Sequence, residues 1–94
     1  MQTVLEAISD PTRRKILELL KRSELSVGEL NEHFDISGAS MSHHLNKLKA
    51  AHLVIPRRQG QSIYYSINTS VFEDAAQYVI EFFQAQGAKK NEQS

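Results

Sequence analysis

The sequence predicts a mainly α-helical domain with one small β-hairpin, in the order ααααββα. Three observations carry that reading. Capping residues stand before amphipathic stretches at Asp10, Ser26, Ser37 and Ser70, as expected where a helix needs side-chain acceptors for its first N–H groups. One run, Ser62-Ile-Tyr-Tyr-Ser-Ile67, alternates with period two behind a glycine turn. The interval between Asp35 and Glu73 has no aspartate or glutamate, yet carries Lys47, Lys49, Arg57, Arg58 and three histidines.

With 11 basic and 11 acidic residues the chain is neutral, so the acid-free interval is a segregation of charge. Residues 1–35 hold five basic and seven acidic side chains, 36–72 hold four basic and none acidic, and 73–94 hold two basic and four acidic. A local cationic surface is what a protein presents to nucleic-acid phosphates. The bland alternative is a packed helix and hairpin showing little surface. Ninety-four residues suffice for one small core, and dimerisation would bury more apolar area. Without cysteine there is neither a disulfide nor a thiolate metal site. No apolar run approaches a membrane span and no signal-peptide pattern precedes the first helix, so the expected location is cytoplasmic. Residues 1–86 are expected to form one domain and residues 87–94 a disordered polar tail.

Taken in order, residues 2–8 predict a short helix with Val4, Leu5 and Ile8 on its apolar face. It is too short to stand alone, so that face must dock on the core or on a partner. Asp10 caps and Pro11 opens a second helix to about Arg22, with Ile16, Leu17, Leu19 and Leu20 inward. Arg13, Arg14 and Lys15 occupy its first turn, the unfavourable end for cations. They read either as solvated or ion-paired, or as phosphate contacts at an interface rim. Ser26-Val-Gly-Glu29 is a capping box, opening a helix that ends near Phe34. Ser37 caps the next, from Gly38 to about Ala51. There Met41, Leu45 and Leu48 face inward, while Ala39, Ser40, Ser42, His43, Asn46, Lys47 and Lys49 face out. Two helices in tight succession, the second with small polar residues at its start, make a helix-turn-helix.

Leu53 to Arg58 is the expected partner of the 62–67 strand, joined by a Gln59-Gly60 turn. The hairpin tip would then carry Arg57 and Arg58 beside the recognition helix. Pro56 cannot donate to a ladder, so its strand is an edge or is irregular there. Ser70-Val-Phe-Glu73 is a second capping box, opening a last helix to about Gln86. Its Val71, Phe72, Ala75, Ala76, Tyr78, Val79, Ile80, Phe82 and Phe83 cover more than one face. Such a helix is expected to pack on its own domain and on a second copy; simple burial under the core is the alternative.

Four pieces of this sequence resemble the ArsR family of winged-helix repressors, together spanning roughly residues 3–85. They are Ile8-Ser-Asp-Pro-Thr-Arg-Arg-Lys-Ile-Leu17, Glu24-Leu-Ser-Val-Gly-Glu-Leu30, Ser37 to Leu48, and Arg58-Gln-Gly-Gln-Ser-Ile-Tyr-Tyr-Ser-Ile67. Within the family the resemblance points to the small autorepressors of the SdpR type. It implies a winged helix-turn-helix that dimerises through its first and last helices and binds DNA. Departures from the family pattern matter too. Metal-sensing members hold cysteines at the positions of Ser26 and Gly28, and others place histidine and carboxylate ligands on the last helix. Here that helix offers Glu73, Asp74 and Glu81 without histidine, a set suited only to hard, weakly held cations.

His33, His43, His44 and His52 do not restore a metal site. His43 and His44 are adjacent and point to different sides of a helix. His43 reads as a DNA contact, His44 as a hydrogen-bonded structural residue, and His52 as the residue taking left-handed φ after the helix.

The expected function is a homodimeric, sequence-specific transcriptional repressor on an inverted-repeat operator, without cofactor, metal sensing or enzyme activity. Base-edge contacts are expected from Ser40, Ser42 and His43. Phosphate or wing contacts are expected from Asn46, Lys47, Arg57, Arg58 and Gln61, with Ser37, Gly38 and Ala39 at the helix start. Val4, Leu5, Ile8, Phe72, Ala76, Val79 and Phe83 are expected to form the dimer interface. Expected partners are double-stranded DNA, a second copy, and an unidentified protein or small-molecule inducer, with no membrane insertion. The rivals are a metal-responsive repressor of the same family and a winged-helix module that binds only proteins. An enzyme finds no support: there is no Gly-rich phosphate loop, no cysteine, and no Ser/His/Asp set beyond caps and packing.

Overall fold

The computed structural model describes the backbone of residues 2–93 and the side chains of residues 3–84; its last helix runs on to Gln93, beyond the end expected near Gln86. The elements are α1 (Gln2–Ile8), α2 (Pro11–Arg22), β1 (Leu25–Ser26), α3 (Val27–Asn31), α4 (Gly38–Ala50), β2 (Val54–Gln59), β3 (Ser62–Ile67) and α5 (Thr69–Gln93). The order is mainly helical with a small sheet, as the sequence predicts. Asp10, Ser26 and Ser37 each cap a helix by accepting the N–H three residues on, and the Ser26–Glu29 capping box is complete in both directions.

The expected two-stranded wing is part of a three-stranded antiparallel sheet, ordered β1-β3-β2. Leu25 pairs with Tyr65 and Ser26 with Tyr64. A two-residue strand shows no alternation, so periodicity could not reveal β1. The hairpin turn is shifted by one residue from its expected place. Gln59 pairs with Ser62, leaving Gly60-Gln61 as the two-residue loop. Gly60 has φ +63° and Gln61 does not share a positive φ, which fits a turn with glycine at its first central position. The tip therefore carries Gly60 and Gln61, while Arg57 and Arg58 lie in the body of β2. Pro56 is accommodated because β2 is an edge strand.

α3 stops at Asn31 and not near Phe34 as expected. His33 and Phe34 donate backbone N–H groups to Leu30 and Asn31, at 3.0 and 3.2 Å. These bonds span three residues, so the last turn tightens out of α geometry. α4 ends in a Schellman motif. His52 (φ +60°) donates its N–H to Lys49 O at 2.9 Å, and Leu53 donates to Leu48 O at 3.0 Å. Leu48 and Leu53, the apolar pair of that motif, are both fully buried.

The core comprises Ile16, Leu17 and Leu20 of α2, Leu30 of α3, Met41, Leu45 and Leu48 of α4, Leu53 beyond it, Val54 of β2 and Tyr65 of β3, with Ala7 and Ala51. Thus α4 is held from α2 on one side and from the sheet on the other. α5 is divided along its length. Val71 and Phe72 at its start pack against the core, but Tyr78, Val79, Ile80, Phe82 and Phe83 remain exposed, Phe83 at 66%. Simple burial under the core does not describe this helix.

Candidate nucleic-acid interface

Ser37 to Ser40 are all exposed at the start of α4. An α-helix leaves its first N–H groups without intrahelical acceptors. Ser37 Oγ takes the Ser40 N–H at 3.1 Å, and Met41 N–H returns to Ser37 O at 3.0 Å. The N–H groups of Gly38 and Ala39 are left pointing out of the helix end, where the dipole favours an anion. A Cβ on Gly38 would meet nothing within 4 Å, so the surface there is open to close approach.

Successive α-helical residues turn by about 100°. Ala39, His43 and Asn46 therefore occupy the middle of the outward face, with Ser42 and Lys49 on one flank and Ser40 and Lys47 on the other. Ser42, His43, Asn46, Lys47 and Lys49 are exposed. The second flank abuts α1, where Lys47 Nζ lies 3.8 Å from a Glu6 carboxylate oxygen. Both partners are exposed, so this is a weak pair that a phosphate can replace.

The two wing arginines face opposite ways. Register puts Arg58 opposite Ile63, on the face that also holds Val54 and Tyr65, both buried. Arg57 lies opposite Tyr64 on the outer face. Its Nε and Nη2 donate to the two carboxylate oxygens of Glu24 at 3.0 and 2.7 Å, and its Nη1 donates to Gln59 Oε1 at 2.8 Å. Its guanidinium lies 5.1 Å from the centre of the Tyr64 ring. The Arg57 hydrogen bonds hold the Glu24 carboxyl below its ordinary value, and Glu24 raises Arg57 in turn. Among the described residues Arg58 has no ion-pair partner.

Arg13 fits neither reading offered from sequence. It is 9% exposed, and its Nε donates to Ala7 O at 2.6 Å and its Nη2 to Glu6 O at 3.4 Å. Arg14 Nη1 donates to Ile8 O and Ser9 O, both at 2.9 Å. The two arginines satisfy the orphan carbonyls at the C-terminal end of α1, where cations are favourable. The sequence showed only their unfavourable place at the start of α2. Arg13 also reaches the recognition helix: Nη1 lies 3.2 Å from His44 Nδ1. A guanidinium can only donate, so in this contact Arg13 is the donor and His44 Nδ1 the acceptor. His44 is a hydrogen-bonded structural residue, as its position on the edge of the buried face implied. Asp10 lies 3.8 Å from the same ring nitrogen. The Arg13 N–H donated to the Asp10 carboxylate is the main reason its pKa is lowered.

Six of the seven expected interface residues, Val4, Leu5, Ile8, Phe72, Ala76 and Val79, line one open apolar groove between α1 and α5. Phe83 lies further along α5, exposed. Among the described residues no three His, Cys, Asp or Glu side chains are grouped to hold a metal ion, and no helix is long and apolar enough to cross a membrane.

Residues 10–55 match the family model of bacterial regulatory proteins of the arsR family. The chain is 52% identical over 82 residues to the transcriptional repressor SdpR of Bacillus subtilis strain 168, covering 87% of this chain and 91% of that protein. It is 36% identical over 77 residues to an arsenical resistance operon repressor of Staphylococcus aureus, covering 82% of this chain and 74% of the relative. A crystal structure of an ArsR family transcriptional regulator superimposes with a TM-score of 0.86 at 26% identity, over 92% of this chain and 94% of that one. Capped recognition helix, three-stranded wing and sequence kinship agree: this chain belongs to the ArsR family of winged helix-turn-helix DNA-binding regulators.

Proposed function

We propose that this protein is a homodimeric transcriptional repressor that reads an inverted-repeat operator and is not released by metal ions. The observation that carries the reading is the outward face of α4: exposed from Ser37 to Lys49 except at its packed positions, open at Gly38, and free of acid. Ser42 and His43 reach base edges from the middle and one flank of that face, and Ser40 from the other. Gly38 and Ala39 offer N–H groups to a phosphate, and Asn46, Lys47, Arg58 and Gln61 hold the backbone. The uncovered α1–α5 groove supports pairing with a second copy, which would set two recognition helices about one helical turn of DNA apart, roughly 34 Å. Kinship to named repressors supports repression. Against metal release stands the chemistry of Ser26, whose hydroxyl is committed to capping Glu29 N–H at 3.1 Å.

The test is fluorescence anisotropy on the duplex upstream of this protein's own gene, against a scrambled duplex, across a salt series. With Arg57 engaged by Glu24, each subunit retains Lys47, Lys49 and Arg58. A dimer then neutralises at most about six phosphates, giving a log–log salt slope near −5. Tight binding of two subunits to the upstream duplex, undiminished by added zinc, is expected. Equal weak binding to both duplexes would remove the operator from the reading, and binding to neither at low salt would leave a protein-interaction module.

A further inference from the structure

Resting on that reading, we infer that Arg57 and Glu24 form a strap across the sheet that positions the wing, and that Arg57 serves DNA binding without touching DNA. β3 lies between β1 and β2. Glu24 immediately precedes β1 on one edge, and Arg57 is in β2 on the other. The guanidinium crosses the central strand over the Tyr64 ring to reach Glu24, and Tyr64 is itself paired with Ser26 and Arg57. The contact therefore joins the two edges of the sheet over residues 33 apart in sequence.

Its consequence is mechanical. β1 leads directly into α3, the first helix of the helix-turn-helix, while β2 leads out to the hairpin tip. A bidentate arginine–carboxylate fork fixes direction as well as distance. Tying Glu24 to Arg57 thus sets the angle of the wing relative to α3 and α4. Gln59 receives the third arm of the same guanidinium at 2.8 Å, next to the turn. Arg58, one residue on, faces the other side and is left for phosphate. Adjacent arginines with similar sequence credentials divide into one that positions and one that binds.

The experiment measures operator affinity and salt slope for the full-length wild type, Glu24→Gln, Arg57→Ala, Arg57→Lys, the Glu24→Gln/Arg57→Ala double variant, and Arg58→Ala. Thermal melts verify folding. The strap predicts that each single change at 24 or 57 weakens binding about fivefold, and that the double variant is no weaker than either single one, because the two residues act as a unit. Arg57→Lys should fail to rescue, since a lysine keeps the charge and loses the fork. Salt slopes should stay at the wild-type value in all four, whereas Arg58→Ala flattens its slope. Tighter binding by Glu24→Gln, with a steeper slope, would show that Glu24 merely withholds Arg57 from phosphate and would overturn the strap. Wild-type binding left unchanged by the substitutions at 24 and 57 would also overturn it. A folded wild type that binds no duplex would instead sink the repressor reading itself.

Discussion

α4 and α5 are both amphipathic by sequence, but only α4 is completed within one subunit. Met41, Leu45 and Leu48 are at most 2% exposed, and both ends of α4 are closed by a serine cap and a Schellman motif. α5 is anchored at its start and then leaves Val79, Phe82 and Phe83 uncovered, at 47%, 53% and 66% exposure. Leu5 of α1, 54% exposed, joins that surface. A lone exposed leucine is ordinary; a row of large apolar side chains bordering an apolar groove marks an interaction surface. The contrast separates what holds the subunit together from what is left uncovered, the surface proposed to hold a second copy.

The largest effect that tests the contrast is in α4. Leu45→Ala should cost about 2–5 kcal/mol, since the fully packed site cannot collapse around the lost methyl groups. Chemical denaturation should show it as a lower midpoint. On α5 the paired Val79→Asp and Phe83→Asp changes should act on assembly instead. Sedimentation should report monomers, operator affinity should fall at least about tenfold as the two half-sites uncouple, and circular dichroism should retain the helical signal. If both helices lowered subunit stability equally and left assembly alone, the division would be lost.

A smaller effect belongs to the cap that starts α2. Asp10→Ala should cost about 1 kcal/mol. Folding lowers the Asp10 pKa, so the unfolded chain binds its proton more readily. The stabilisation is therefore complete above the ordinary aspartate value and is lost as pH falls through the lowered folded value. Asp10→Asn retains an oxygen acceptor and should flatten this part of the acid limb of a stability–pH profile. The smallest effect is at the other end of α4. His52→Gly relieves a left-handed φ but loosens the unfolded chain, so a net gain of about 0.5 kcal/mol in melting experiments is expected.

Much of α4 and its surroundings was legible in sequence because the signals are local. A cap bonds an N–H three residues on, an inward face repeats within two turns, and His52 as the left-handed residue follows from where the helix must stop. The acid-free interval coincides with the exposed outward face of α4, the face proposed to meet DNA. Less was legible in the wing. Its turn lay one residue further along, since pairing of Gln59 with Ser62 depends on cross-strand register and not on which residue is glycine's neighbour. α3 ended early because its last turn tightened, which no periodicity reports.

The sequence by itself determined the order of the helices and the hairpin, the caps at Asp10, Ser26 and Ser37 though not one at Ser70, which lies inside α5, and the inward and outward faces of α4. Each of those follows from interactions among residues within about one or two helical turns. Tertiary structure decided the fate of individual charges. Arg13 and Arg14 look misplaced at the start of α2 until α1 brings its C-terminal carbonyls to them, and Arg57 looks like a free cation until the third strand brings Glu24 across Tyr64. A charge takes its role from whatever lies within hydrogen-bond reach, and that neighbour is chosen by sheet order and helix packing.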